Sequence, residues 1–382
     1  MQPYVNFYID NEQGLEVSGF KSFNCSESVY GHSFFTLSFR SSNISFWDKL
    51  YSLKKKHVFE LDWGFFEGDA VTVLGERRKV LVSVSSFDYW RGSVDIEIVG
   101  TDLGRLLKER CYSHIFYDEK ISDIVKSVCA NYSKDLKCRV TDTDGKVSAY
   151  SCKRNDADFI SESCLPSALS GEKRTDYNFY IENGQTIVFE PPKLTGGTTL
   201  SFSLDDPLDS GISSIKSHYR RQDVVDGGGY VTETRGYDTA RKVPLFYVSS
   251  SDDMYGKRFL DTGKKDSQDM IVKTTGSTST QPEIIPSEIN IFSSRDEKYP
   301  LRSLENYSNG RWSRNARSLY RVEVEYRPIF NLDVADTVNL DVENAGGESA
   351  SLSGKYLVYG RNTIVEIDGL RQIAYLERRG HV

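Results

Sequence analysis

The chain has 382 residues, with 48 basic against 55 acidic side chains for a net charge of −7, and it is 38% hydrophobic and 27% charged. That balance describes a soluble globular protein with room for several cores. It excludes a dedicated nucleic-acid binder, which would carry a basic stripe, and a helical membrane protein, because no apolar run approaches the roughly 18 to 20 residues a spanning helix needs.

The start, MQPYVNFYID, has neither a basic nor an apolar leader segment, so synthesis and folding in a cytoplasm are expected. Residues 1 to about 103 read as strands with one helical interruption. Residues 46–56 (FWDKLYSLKKK) place apolar side chains at 46, 47, 50 and 53 with lysines in the last turn, which predicts an amphipathic helix packed on the surrounding sheet. The pattern changes from 104 to 199. Ile121, Ile124, Val125, Val128, Cys129 and Tyr132 fall on one helical face, with Asp118 and Glu119 at its N-terminal side. A second helix is expected from Asp156, ended or kinked by Pro166, and Asn183-Gly184 between YNFYIE and QTIVF is a hairpin signal. Alternation returns over 200–248, interrupted by Gly227-Gly228-Gly229. Residues 249–310 are polar, with TTGSTSTQP at 274–282, and read as an inserted arm or loose subdomain; strands resume near Arg317.

One β pattern occurs twice. Residues 75–100 (GERRKVLVSVSSFDYWRGSVDIEIVG) are echoed by 354–380 (GKYLVYGRNTIVEIDGLRQIAYLERRG). Upstream, FFTLSF (34–39) then VFELD (58–62) match YRVEVEY (320–326) then TVNLD (337–341), and 5–23 has a looser counterpart in 200–219. Two copies so far apart are too few for a solenoid and predict two similar β domains with other material inserted.

The histidines His32, His57, His114, His218 and His381 are scattered, and neither His57 with Glu60 nor His114 with Asp118 has a third ligand nearby, so no metal site is expected. The six cysteines, Cys25, Cys111, Cys129, Cys138, Cys152 and Cys164, lie in the first half without a C-x-x-C pair; their spacings fit no zinc pattern, and reduced, mostly buried thiols are expected. Gly227 to Gly229 lack the Lys-Ser/Thr of a phosphate loop and read as a turn. Asp142-Thr143-Asp144-Gly145 resembles a fragment of a calcium loop but Ser151 and Lys153 stand where a closing acid is needed, so it too reads as a turn. No catalytic residues and no cofactor are assigned. With 55 acidic residues, a glycosidase-type carboxylate pair stays open.

Three features resemble the baseplate hub proteins of contractile phage tails, the late-control-protein-D type, whose fold also forms the first part of type VI secretion spike proteins. They are LGRLLKERCYSHIFYDEKISDIVKSVCANYS (103–133), NDADFISE followed by YNFYIENGQTIVFEPP (155–162 and 177–192), and the terminal strand pair closing in LERRG (376–380). The resemblance spans 1–248 and 317–382. It implies a mainly β fold with an α+β insertion and two similar tube-type β-barrel domains in one chain: tube-like domain I over 1–103, an α+β domain over 104–199, tube-like domain II over 200–248 and 311–382, and an arm over 249–310. It further implies a homotrimeric ring with pseudo-six-fold symmetry that joins the tail tube to a central spike and lines the exit channel for the tape-measure protein and DNA. Its partners would be the spike, tube, tape-measure and other baseplate proteins, in a virion assembled in the host cytoplasm. A net charge of −7 fits a lumen through which DNA passes without being held. Secretion spikes continue into a needle, so a phage hub with a separate spike chain is the expectation for a sequence ending at Val382. The alternative, resting on 12% aromatic residues, is a carbohydrate-binding or peptidoglycan-cleaving tail protein.

Overall fold

The period-2 alternation of the first hundred residues builds an antiparallel ladder. The computed structural model describes residues 2–9, 12–16, 20–29, 31–42, 57–151, 154–168, 177–192, 197–203, 205, 211–219, 230–238, 243–250, 253–260, 283–291, 307, 320–327, 332–343, 352–367 and 369–378. The helix expected at 46–56, Cys152, Lys153, the triple glycine at 227–229 and His381 lie outside these residues.

The first unit consists of β1 (Gln2–Ile9), β2 (Glu12–Glu16), β3 (Phe20–Ser28), β4 (Phe34–Ser41), β5 (His57–Glu67), β6 (Ala70–Trp90) and β7 (Ser93–Asp102). Its spatial order is β3-β4-β7-β6-β5-β1-β2. Along β3 the side chains alternate between buried and more exposed positions, with Phe23, Cys25 and Glu27 on the inner face. The core gathers Phe7, Phe23, Leu37, Phe39, Leu61, Trp63 and Ile98. Trp63 fits because β6 has glycine beneath it: a Cβ on Gly75 would lie 2.3 Å from the indole.

The inserted unit contains α1 (Arg105–Glu109), β8 (His114–Glu119), α2 (Ile121–Ala130), β9 (Lys137–Val140) and β10 (Val147–Ser151). A wound segment follows, with α3 (Asp156–Asp158), a π-helical turn (Phe159–Cys164) and α4 (Leu165–Ser167), and then the hairpin of β11 (Asn178–Glu182) and β12 (Thr186–Glu190). The helical face expected from Ile121 to Tyr132 is buried, and it packs with Phe159, Phe179 and Phe189. Asn155 caps α3 by accepting from the Asp158 amide at 2.8 Å. As expected near Pro166, the segment ends one residue past it, at Ser167. The winding is already distorted before the proline, in the π-helical turn of Phe159–Cys164, and Pro166 stands in the first turn of α4, where its missing N–H is tolerated. Asp118 and Glu119, at the N-terminal side of α2 as expected, close β8 just before the helix, and Asp123 is the acid of the first helical turn.

The second unit comprises β13 (Thr198–Ser203), β14 (Ile212–Tyr219) and, after a separate sheet, β19 (Tyr320–Tyr326), β20 (Thr337–Glu343), β21 (Gly354–Glu366) and β22 (Gly369–Arg378). The separate sheet holds β15 (Tyr230–Asp238), β16 (Val243–Ser250), β17 (Asp253–Leu260) and β18 (Glu283–Ile291) in the order β17-β16-β15-β18. It therefore has strands on both sides of the 248/249 boundary read from the sequence.

The two ladders repeat each other strand for strand. The second runs β14-β19-β22-β21-β20-β13, matching β3-β4-β7-β6-β5-β1 position by position. The segments paired by sequence, VFELD with TVNLD and FFTLSF with YRVEVEY, are β5 with β20 and β4 with β19. One difference stands out in the last position, where β1 pairs antiparallel to β5 but β13 pairs parallel to β20. Among the described residues the ladder stays open, ending at β14 on one side and β2 on the other, so the expected barrel closure is not made within one chain.

Candidate assembly seam

The two ladders are fused by one strand pair. β21 is long enough to pair with β20 through residues 354–357 and then, on that same side, with β3 through residues 360–366, while β22 runs along its other side. The cross-strand partners Arg361 and Glu27, Thr363 and Cys25, and Val365 and Phe23 are all buried, so the inner face is continuous across the seam.

A buried ionic network closes this face at one end. Glu27, at the parity of Phe23 and Cys25, accepts hydrogen bonds through Oε2 from Arg361 Nε at 2.9 Å and Arg361 Nη2 at 2.5 Å. Its Oε1 accepts from Arg78 Nη1 at 2.5 Å. Arg361 is 2% exposed and also donates through Nη1 to the Leu332 carbonyl at 2.7 Å and to Asp333 Oδ1 at 3.1 Å. Arg78 lies over the Trp63 ring, 4.5 Å from its centroid. Three strands, β3, β6 and β21, thus converge on one carboxylate.

Burial raises the pKa of Glu27, but the guanidinium groups of Arg361 and Arg78 outweigh it and bring the carboxyl down to about 2. A depressed carboxylate stabilises the fold above its unfolded pKa, near 4.5, and that contribution disappears as pH falls through about 2. It amounts to on the order of 3 kcal/mol. Hydrogen exchange followed from pH 5 to pH 2 is therefore expected to show β3 and β21 amides losing protection before the β5–β6 amides do. Simultaneous loss throughout would contradict the role assigned to Glu27.

The inserted unit docks beside the seam. The Asn183-Gly184 turn of the β11–β12 hairpin meets β6 and the end of β7, with Gly184 accepting from the Leu103 amide just past β7 at 2.8 Å and Asn183 Nδ2 donating to Glu76 Oε2 of β6 at 3.2 Å. Gly184 has φ +72°, and a Cβ there would stand 2.3 Å from the Lys79 carbonyl oxygen, so the hairpin signal also serves a close approach. Val29, Tyr180, Val188 and Ala335 pack into a small cluster where both ladders and the insert meet. Asp102 lies nearby, accepting from the Ser33 amide at 2.5 Å and the Gly104 amide at 2.9 Å. Burial pushes its carboxyl up to about 7 against those two hydrogen bonds.

The residues weighed for chemistry have structural surroundings. Thr143, in the segment resembling a calcium loop, accepts from the Ser122 amide through Oγ1 at 3.0 Å and so caps α2. Asp142 pairs with Lys126 at 2.6 Å. His114 Nε2 lies 2.9 Å from Asp156 Oδ1, and Tyr132 donates to Asp156 Oδ2 at 2.7 Å, fastening α3 to β8 and α2. Burial, reinforced by Lys108 and Arg105, lowers His32 to about 4. Cys25, Cys111, Cys129, Cys138 and Cys164 are free thiols. Cys129 and Cys138 share a hydrogen bond that holds Cys138 below and Cys129 above the ordinary thiol range. Both line a cavity of about 350 Å³ with Lys126, Ser133 and Leu136, which brings no carboxylate pair together. Among the described residues no group of three or more metal-ligating side chains converges, and no helix is long and apolar enough to cross a membrane.

Glu27, Arg78 and Arg361 were not singled out from the sequence. The available signal was a charge standing at the apolar parity of a strand.

No protein-family model matches the chain, and no curated protein matches it by sequence. Its fold is nevertheless shared with solved structures. A tail protein from Neisseria meningitidis MC58 superposes with a TM-score of 0.65 at 9% identity, covering 100% of this chain and 98% of that one. The 43 kDa tail protein of prophage MuSo2 from Shewanella oneidensis gives 0.56 at 11% identity over 99% and 97%. A component of the type VI secretion system of E. coli, similar in structure to the bacteriophage T4 tail proteins gp27 and gp5, gives 0.54 at 10% identity over 98% and 77%. The chain has the fold of phage tail proteins and type VI spike-complex proteins.

Proposed function

We propose that the chain is a structural hub at the tip of a phage tail, a homotrimeric ring with pseudo-six-fold symmetry that joins the tail tube to a central spike. The observation that carries this reading is the strand-for-strand repetition of two ladders fused at β3–β21: three copies present six equivalent units, which match a six-fold tube on one face and a three-fold spike on the other. In this reading the tube-like units are the β1–β7 ladder and the ladder of residues 197–219 and 320–378, and the insert and the β15–β18 sheet project from them. The ring lines a channel for the tape-measure protein and DNA, contacts the spike, tube and other baseplate proteins, and resides in the virion. Its role is structural rather than enzymatic.

Light scattering coupled to size exclusion tests this directly. A mass three times 43.4 kDa, with averaged electron images showing a ring and a central hole, is the expected result. A monomer at every concentration, with muropeptide bound or cleaved, would favour the carbohydrate-directed alternative.

A further inference from the structure

The internal seam has a counterpart that no described strand fills. By ladder position β6 corresponds to β21 and β14 to β3, yet β6 and β14 do not pair with each other. β5 leaves β6 at the His57–Val82 pair, and beyond Val82 no described strand lies on the side of β6 away from β7. β14 has β19 as its one strand partner among the described residues. Near the free end of β6 the side chains of Tyr89 and Trp90 are 68% and 61% exposed, an unusual outlay of aromatic surface for a strand edge.

We infer that β14 of a second copy of this chain pairs antiparallel with the distal half of β6, in the register of the β3–β21 seam. The inference rests on the ring reading above and specifies how its copies join. The register follows from two alignments. The hairpins end alike, at Trp90–Ser93 and Glu366–Gly369, so Asp88, Tyr89 and Trp90 correspond to Ile364, Val365 and Glu366. β3 and β14 each carry an irregularity at the same place in their ladders, between Phe20 and Ser22 and between Ile212 and Ser214, so Ser22, Phe23 and Asn24 correspond to Ser214, Ile215 and Lys216. Within the chain Glu366 faces Ser22, Val365 faces Phe23 and Ile364 faces Asn24. Between copies Trp90 then faces Ser214, Tyr89 faces Ile215 and Asp88 faces Lys216.

The side chains suit this pairing. Tyr89 gains an apolar partner in Ile215, as Val365 has in Phe23. Asp88 and Lys216 are both exposed and of opposite charge, and Lys216 already holds Glu323 at 3.1 Å, so it would sit between two carboxylates. Because the two edges differ, the contact is head-to-tail, and every copy offers one of each.

Cysteine pairing reads the register. With Cys111→Ser and Cys138→Ser as background, the double variant Asp88→Cys/Lys216→Cys is oxidised by oxidised glutathione, which takes up the two electrons and two protons of the paired thiols. Directly opposed residues lie roughly 4.5 to 5.5 Å apart at Cα, within disulfide range, whereas a diagonal pair at roughly 7 to 8 Å is outside it. Covalent trimer in at least about tenfold excess over the off-register variant Asp88→Cys/Ser214→Cys is expected, with Tyr89→Cys/Ile215→Cys as a second on-register pair. A trimer by light scattering in which neither on-register pair links above the off-register level overturns the seam and leaves the ring reading standing. Covalent ladders extending beyond three copies uphold the seam and overturn the trimer. A monomer at every concentration overturns both.

Discussion

Glu27→Ala is expected to destabilise the junction between the two ladders by about 3 to 5 kcal/mol, because it strands two buried guanidinium groups at once. Among the described residues Arg361, 2% exposed, would keep the Leu332 carbonyl and the largely exposed Asp333, and Arg78 would keep the Glu76 carbonyl and the Trp63 ring. The matching triple variant, Glu27→Leu with Arg78→Met and Arg361→Met, removes all three charges together. It is expected to be near neutral or more stable by about 1 to 4 kcal/mol. Urea unfolding provides the comparison, and hydrogen exchange localises it: in Glu27→Ala the amides of β3 and β21 should exchange at least about 100-fold faster. A loss below about 1 kcal/mol in Glu27→Ala would show that the network is solvated and unimportant. If stability is what the triple variant retains, specificity is what it gives up. Arg361 faces Glu27 on the inner side, and a one-residue slip of β21 along β3 would turn that whole face outward. The ion pair penalises such a slip, whereas a leucine opposite a methionine would do so weakly.

How far the sequence could be read depended on the range of the interaction. Local periodicity was legible: Ile121 to Tyr132 form the buried face of α2 and its following turn, and Asn183-Gly184 closes a hairpin. The repeat was legible too, since VFELD and TVNLD carry the same alternation and occupy the same ladder position as β5 and β20. Edge pairing was not, because alternation defines the faces of a strand and says nothing of which strand lies alongside. The open ends at β2 and β14 therefore emerged only with the topology. The seam lay further out of reach. Glu27 and Arg361 are separated by 334 positions, and each by itself is one charge among many in a chain with 55 acidic residues. Thr143 was hidden for a different reason: the segment read as a turn, and nothing in a turn's local pattern says that its hydroxyl oxygen accepts from an α2 amide 21 residues away.

Trp63 connects the core of the first unit to the seam, and Trp63→Ala is expected to cost about 3 to 5 kcal/mol by opening a cavity between β5 and β6. The indole is fully buried, lies on Gly75, meets Phe23 at 5.0 Å and carries Arg78 at 4.5 Å. Its loss should therefore be felt twice, once as missing apolar contact and again as an Arg78 side chain no longer held toward Glu27. Trp63→Phe separates the two effects. Among the described residues Trp63 Nε1 is buried without a hydrogen-bond partner, so the phenyl ring sheds an unsatisfied donor while keeping an aromatic face under Arg78. Its cost should stay near 1 to 2 kcal/mol, the usual range for a change of shape inside a packed core. Thermal unfolding ranks the two variants, and exchange of the 360–366 amides shows whether the seam follows. Trp63→Ala should loosen those amides although none of them belongs to β5 or β6, and Trp63→Phe should leave them protected. Equal protection of the seam in both variants would separate Trp63 from the network and leave it a core residue only.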